Sequence, residues 1–93
     1  MKSGFEWDEE KARQNLQKHR VSFEEATTVF SDPFSLTIDD PLHSTKEERF
    51  VILGYSEVQR LLVVVHTDRG DNIRIISARP ATQHERQLYE QYF

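Results

Sequence analysis

Hydrophobic and polar positions change period once along the chain. In the first third, Ala12, Leu16 and His19 fall at i, i+4 and i+7, and Phe23, Ala26, Val29 and Phe30 recur at helical spacing. Each set predicts a helix with one covered stripe. Asp8 caps the first helix, over residues 9–18, with acids in its first turn and basic residues at its end, as the helix dipole favours. Ser22 with Glu25 has capping-box spacing and opens a second helix through about Phe30. Ser31-Asp32-Pro33 ends it, because proline cannot continue a helix.

From Phe34 onward the period is 2. Phe34, Leu36 and Ile38 alternate with Ser35 and Thr37, which predicts a strand with one face on a core. Leu42 to Lys46 reads as a loop. Glu47 to Gly54 predicts a second strand, with Phe50, Ile52 and Gly54 on one side and Val51 and Leu53 on the other. Residues 60–67 are apolar on both faces, as a central strand is. Asp68-Arg69-Gly70-Asp71 then reverses the chain into Asn72 to Ser77, and its Arg-Gly-Asp tripeptide is explained by that turn. Thr82 and Glu85 repeat the capping-box spacing before a last helix, Gln83 to about Gln91, in which Tyr89 reads as the anchor to the sheet and Phe93 as a free handle. The order is helix, helix, four strands, helix. It predicts one α+β domain over residues 1–93, a four-stranded antiparallel sheet with helices against one face.

Composition narrows the chemistry. At 93 residues the chain is too short for a dinucleotide-binding fold or a barrel enzyme. It has no cysteine, which excludes a disulfide scaffold, Cys-ligated zinc, an iron-sulfur centre and thiol catalysis. Leu61 to Val65 is the longest apolar run, far short of the roughly 20 residues that span a bilayer, so the expectation is a cytoplasmic protein. Twelve Lys and Arg against 16 Asp and Glu give a net charge of -4. The excess lies in residues 31–60, which carry three positive and six negative groups. That pattern lacks the uniform basic field of a non-specific nucleic-acid binder and suits a partner with a basic patch.

Candidate site residues come from strand geometry. Arg74 lies between Ile73 and Ile75 and so points to the face opposite them, while Arg79 lies just past the strand. With helices on one face only, the open face would display Arg74 with His66 or Arg60 as a basic platform for a phosphate. Arg74 as a solvated residue paired with a carboxylate is the alternative. His19, His43, His66 and His84 form no i, i+4 pair, so no metal site is predicted, although an imidazole can move a proton near neutrality. Asp39-Asp40 with Glu47-Glu48 lacks the spacing of a calcium loop and reads as a solvated acidic loop.

Beyond these local patterns, ordered blocks carry a resemblance: Phe5-Glu6-Trp7-Asp8, Asn15-Leu16-Gln17-Lys18-His19, Val21-Ser22-Phe23-Glu24-Glu25-Ala26, Phe30-Ser31-Asp32-Pro33, Glu47-Glu48-Arg49-Phe50, Leu62-Val63-Val64-Val65-His66-Thr67, and Arg74-Ile75-Ile76-Ser77-Ala78-Arg79 with Glu85-Arg86. From Phe5 to about Tyr89 the chain resembles the BrnT toxin family. The resemblance implies a type II toxin with a RelE-like fold, a ribonuclease that arrests translation without a metal or other cofactor. It implies a BrnA-like ribbon-helix-helix antitoxin, and through it an indirect association with DNA. Carried onto this chain, it makes Arg74 and Arg79 phosphate or transition-state ligands, with His19 or His66 for proton transfer. Lys18, Arg49 and Arg86 would steer RNA, with Arg60 beside them on the platform. The chain departs from the Lys- and Arg-rich pattern of many members after the last strand, where it has Gln83-His84-Glu85-Arg86-Gln87. A catalytically weak domain acting as co-repressor with its DNA-binding partner is the alternative expectation.

Overall fold

The computed structural model describes residues 4–40 and 47–91. The loop expected over Leu42 to Lys46, with His43, and the terminal Tyr92 and Phe93 lie outside the described residues.

Helix α1 spans Glu9–His19. The Asp8 side chain accepts hydrogen bonds from the backbone N–H groups of Glu10 (2.8 Å) and Lys11 (3.1 Å), satisfying donors that the first turn leaves open. Arg20 ends the helix in the left-handed conformation at φ 60, its N–H on the Leu16 carbonyl. Helix α2, Phe23–Thr28, tightens into a 3-10 turn over Val29–Ser31. Only half of the expected capping box forms at its start. Ser22 accepts from the Glu25 N–H at 3.0 Å, but the Glu25 carboxylate turns away to Arg60 and Ser56.

The strands are β1 (Phe5–Glu6), β2 (Leu36–Asp39), β3 (Phe50–Tyr55), β4 (Leu61–Arg69) and β5 (Asn72–Pro80), and helix α3 spans Gln83–Glu90. They form one sheet in the order β1-β5-β4-β3-β2. The expected four-stranded antiparallel sheet is thus a five-stranded mixed one, because β1 adds to β5 in parallel with Phe5 opposite Ile73 and Glu6 opposite Arg74. Two residues are too short to show a period, so this strand had no pattern to read.

The helices also divide between the two faces, where one covered face was expected. Phe23, Ala26 and Val29 of α2 and the following turn pack with Trp7, Ile52, Leu62, Val64, Ile75 and Ala78 on one face. On the other, Tyr89 of α3 packs with Leu53, Leu61 and Val63. Tyr89 is 2% exposed, and its hydroxyl donates to Asp32 at 2.7 Å. The same carboxylate accepts the N–H groups of Phe34 and Tyr55, so it joins the 3-10 turn, β3 and α3. Gly54 permits this approach, since a Cβ there would stand 3.1 Å from Asp32, Ser35 and Val29.

A second correction concerns the stripe of α1. Leu16 is 47% exposed, and the residue that α1 buries is Asn15. Strand β1 covers β5 only at Ile73 and Arg74, so the edge beyond them needs another partner. Asn15 supplies it. Its Nδ2 donates to the carbonyls of Ala78 (2.8 Å) and Val21 (2.9 Å), and its Oδ1 accepts the Ala78 N–H at 3.1 Å. Among the described residues no helix is long and apolar enough to cross a membrane.

Replacing Asn15 with Ala orphans the N–H and carbonyl of Ala78 and removes a bond to Val21. We expect the unfolding free energy to fall by about 3 kcal/mol, because each buried polar group left unpaired costs about 1–3 kcal/mol. Urea unfolding followed by the fluorescence of the buried Trp7 measures it, and a loss under about 0.5 kcal/mol, the scale of an ordinary surface substitution, contradicts the role given to this amide.

Candidate functional site

Strand β5 carries an irregularity that decides which side chains share a face. Opposite the β4 step from Val65 to His66 it runs from Ser77 to Ile75, so Ile76 is an extra residue and the ladder shifts there. Such a bulge reverses the alternation on either side of it. Ile73 and Ile75 face the α2 side of the sheet, and so does Ala78. Regular alternation would have put Arg74 and Arg79 on opposite faces. The bulge puts both on the α3 face, together with Ser77, and β5 extends through Arg79 to Pro80.

A cleft of about 500 Å³ opens on that face, lined by Arg49, Ser77, Arg79, Glu85 and Asp40 over a floor that includes Val63, Val65 and Ile76. A second depression, lined by Lys11, Gln14, Asn15, Lys18 and His19 of α1, also contains Ile76 and Ser77. Both border on Ile76 and Ser77 at the bulge, which makes a groove of two adjoining depressions, with Lys18 and His19 of α1 in one and Arg49 and Arg79 of the sheet in the other.

Within it Arg79 is held firmly. Its Nη1 and Nη2 donate to the two carboxylate oxygens of Glu85, each at 2.8 Å, and Nη1 also donates to the Pro80 carbonyl at 3.3 Å. Glu85 completes a full capping box on α3, accepting the Thr82 N–H at 2.8 Å while its own N–H donates to the Thr82 hydroxyl at 3.2 Å. Arg79 and these bonds pull the Glu85 carboxyl down to about 2 against its burial. Arg49 stands at the far wall, its Nε 3.9 Å from the Glu47 carboxylate.

Other residues expected at the site lie elsewhere. Arg74 shares the sheet face but sits near β1, where its Nη1 bonds Glu6 at 3.0 Å, the carboxylate pairing named as its alternative. Their partners Thr67 and Val63 are four residues apart on β4, which puts the Cα of Arg74 about 13 Å from that of Arg79. Arg60 does not join a platform with Arg74. It is tied on the α2 side to Glu25 and to the Arg20 carbonyl. Arg86 donates to the Tyr55 hydroxyl at 3.0 Å. His66 also faces away from the groove, because its even-numbered place on β4 is that of Leu62 and Val64. It is 6% exposed, stacked on Phe50 and edge-on to Phe30, and neither ring nitrogen has a hydrogen-bond partner among the described residues. The residues not foreseen as site members are Lys11, Ser77 and Glu85. The Thr82 and Glu85 capping spacing was legible, but its reach to Arg79 depends on where α3 leaves the sheet. Among the described residues no three His, Asp or Glu side chains are grouped to hold a metal ion.

Residues 7–85 match the family described as the ribonuclease toxin, BrnT, of type II toxin-antitoxin systems. The fold is similar to the 1.1 Å crystal structure of the Brucella abortus ribonuclease toxin, BrnT, with a TM-score of 0.60, 26% sequence identity, and coverage of 83% of this chain and 94% of that one. No curated protein matches the chain. The class of the chain is therefore that of a toxin of a type II toxin-antitoxin system. Within that class, the chain belongs to the BrnT ribonuclease toxin family.

Burial pushes the His66 imidazole below its ordinary value, opposed by the charge of Asp68. The folded state then binds this proton less readily than the unfolded chain, so stability rises with pH in the window below about 6.5 and levels above it. In wild type we expect the midpoint of urea unfolding to drop between pH 7 and pH 5, with a slope from this group of at most about 1.4 kcal/mol per pH unit. His66→Leu flattens that segment. An equally steep fall in the variant assigns the proton elsewhere.

Proposed function

We propose that this chain is a metal-independent endoribonuclease that arrests translation by cutting RNA bound along the groove through Ile76 and Ser77. The observation that carries this reading is that the two depressions share Ile76 and Ser77. Cations stand on either side of that shared lining, Lys11 and Lys18 of α1 in one depression and Arg49 and Arg79 of the sheet in the other. A phosphate backbone is the ligand that such a line of separated cations suits.

The chemistry follows from RNA itself. Its 2'-oxygen attacks the adjacent phosphorus, the bond from phosphorus to the 5'-oxygen breaks, and the products are a 2',3'-cyclic phosphate and a 5'-hydroxyl. No protein nucleophile is needed. Arg79 binds the phosphate as charge builds on its non-bridging oxygens. His19 takes the 2'-hydroxyl proton and, as imidazolium, returns one to the leaving 5'-oxygen. Lys18 and Arg49 align the strand. Arg74 is a peripheral phosphate contact, while Arg60 and Arg86 chiefly hold α2 and Tyr55 in place. His66 has no part in proton transfer.

A type II toxin is paired with an antitoxin, here proposed to be a BrnA-like ribbon-helix-helix protein that carries the complex to DNA. A second reading, a weakly catalytic partner-binding domain, draws on exposed Phe34, Ile38 and Val58 near the acidic middle of the chain.

The test is incubation of the purified, partner-free chain with total RNA and with ribosomes in EDTA. We expect cleavage to cyclic-phosphate ends, lowered about 100-fold or more by Arg79→Ala, as for loss of a transition-state charge ligand, and by a smaller factor in Arg74→Ala. His19→Ala should lower cleavage about 100-fold, the lower end of what loss of a general acid or base costs. Absence of cleavage in both settings leaves the partner-binding reading, and chelator-sensitive cleavage overturns metal independence.

A further inference from the structure

The donors of Arg79 can be counted. A guanidinium has five N–H groups in a planar fork. Two from Nη1 go to Glu85 and the Pro80 carbonyl, and one from Nη2 goes to the second Glu85 oxygen. The two left are Nε–H and the outer N–H of Nη2. Neither has a partner among the described residues. They lie on one edge of the guanidinium, the spacing that takes two oxygens of a phosphate side by side. The side chain of Arg79 is 40% exposed and lines the cleft, so solvent and ligands reach it.

From this arrangement we infer that Glu85 is a positioning residue, which grips one edge of Arg79 so that the other, Nε with Nη2, presents a two-point cradle to a phosphodiester. The inference rests on the ribonuclease reading above and adds to it the residue that orients its main phosphate ligand. Glu85 is suited to the task by its own anchoring. One of its oxygens is shared between Arg79 and the Thr82 N–H, so the guanidinium is fixed relative to the first turn of α3. The carboxylate also has a cost, since an anion beside the groove repels the substrate. Positioning and repulsion therefore pull binding and turnover in opposite directions, which makes the role separable from simple loss of structure.

The experiment compares wild type, Glu85→Gln, Arg79→Ala, the double variant and Ser22→Ala. Ser22→Ala removes the side-chain cap of α2, on the other face of the sheet, and leaves the Arg79 pair untouched. For each variant kcat is measured on RNA, and Kd on a 2'-O-methyl RNA of the same sequence that cannot be cut. We expect Glu85→Gln to lower kcat about tenfold, the scale of losing one charged hydrogen-bond pair, with Kd unchanged or tighter. In the Arg79→Ala background Glu85→Gln should cost nothing further, and Ser22→Ala should keep its kcat. An undiminished kcat in Glu85→Gln overturns the inference. So does an equal loss in the Arg79→Ala background, or a matching loss in Ser22→Ala. Should wild type cut no RNA, the ribonuclease reading fails by itself. The Arg79 Nε–H resonance titrated with inorganic phosphate then decides: a saturable shift in wild type that is lost in Glu85→Gln supports positioning, and the same response in both, or none in wild type, refutes it.

Discussion

The amide of Asn15 is the contact on which the rest of the arrangement depends. Strand β5 has a strand neighbour on its β1 side only at Ile73 and Arg74, and past them its backbone would face the underside of α1 unpaired. By donating to and accepting from Ala78, Asn15 acts as one residue of a missing strand. It does so two residues beyond the bulge at Ile76. The clamp therefore holds the reversed alternation in place, with Ala78 inward and Ser77 and Arg79 outward on the α3 face. It also presses α1 against β5, which is why Lys18 and His19 border the same groove as Arg79. A leucine of similar size could fill the space but could not pair the strand edge.

Carboxylates do most of the remaining cross-linking, which reconciles a net charge of -4 with a groove that displays cations. Glu6 pairs Arg74, Glu25 pairs Arg60, and Glu85 pairs Arg79. Asp8 and Asp32 spend their oxygens on backbone N–H groups and, for Asp32, the Tyr89 hydroxyl. Much of the formal negative charge is thus bound within the fold. A count of charges along the chain could locate the acidic middle third but not separate engaged acids from those that meet a ligand.

Legibility follows the range of the interaction. The helices, their caps at Asp8 and Thr82, the strands β2 to β5, the turn at Gly70 and the anchoring of Tyr89 were readable, because each is written in neighbours a few residues apart. The stripe of α1 is not legible at Leu16, because apolar spacing marks Leu16 for burial while the edge of β5 needs the amide of its neighbour Asn15. Arg74 was correctly aimed by its flanking isoleucines. Its supposed companions His66 and Arg60 were not, since helices on both faces and the Glu25 pairing removed the open platform they required.

By itself the sequence determined the elements, the α+β class, the exclusion of cysteine chemistry, and a family pattern that the match over residues 7–85 bears out. Those are consequences of periodicity, composition and short-range chemistry. Only the tertiary structure decided that β1 joins the sheet, that α3 lies on the face opposite α1 and α2, and that Arg79 shares its face with Arg74. The physical reason is that one extra residue in a strand inverts every side chain beyond it, and whether a strand bulges is settled by partners far away in sequence, here Asn15 and the strand that holds Val65.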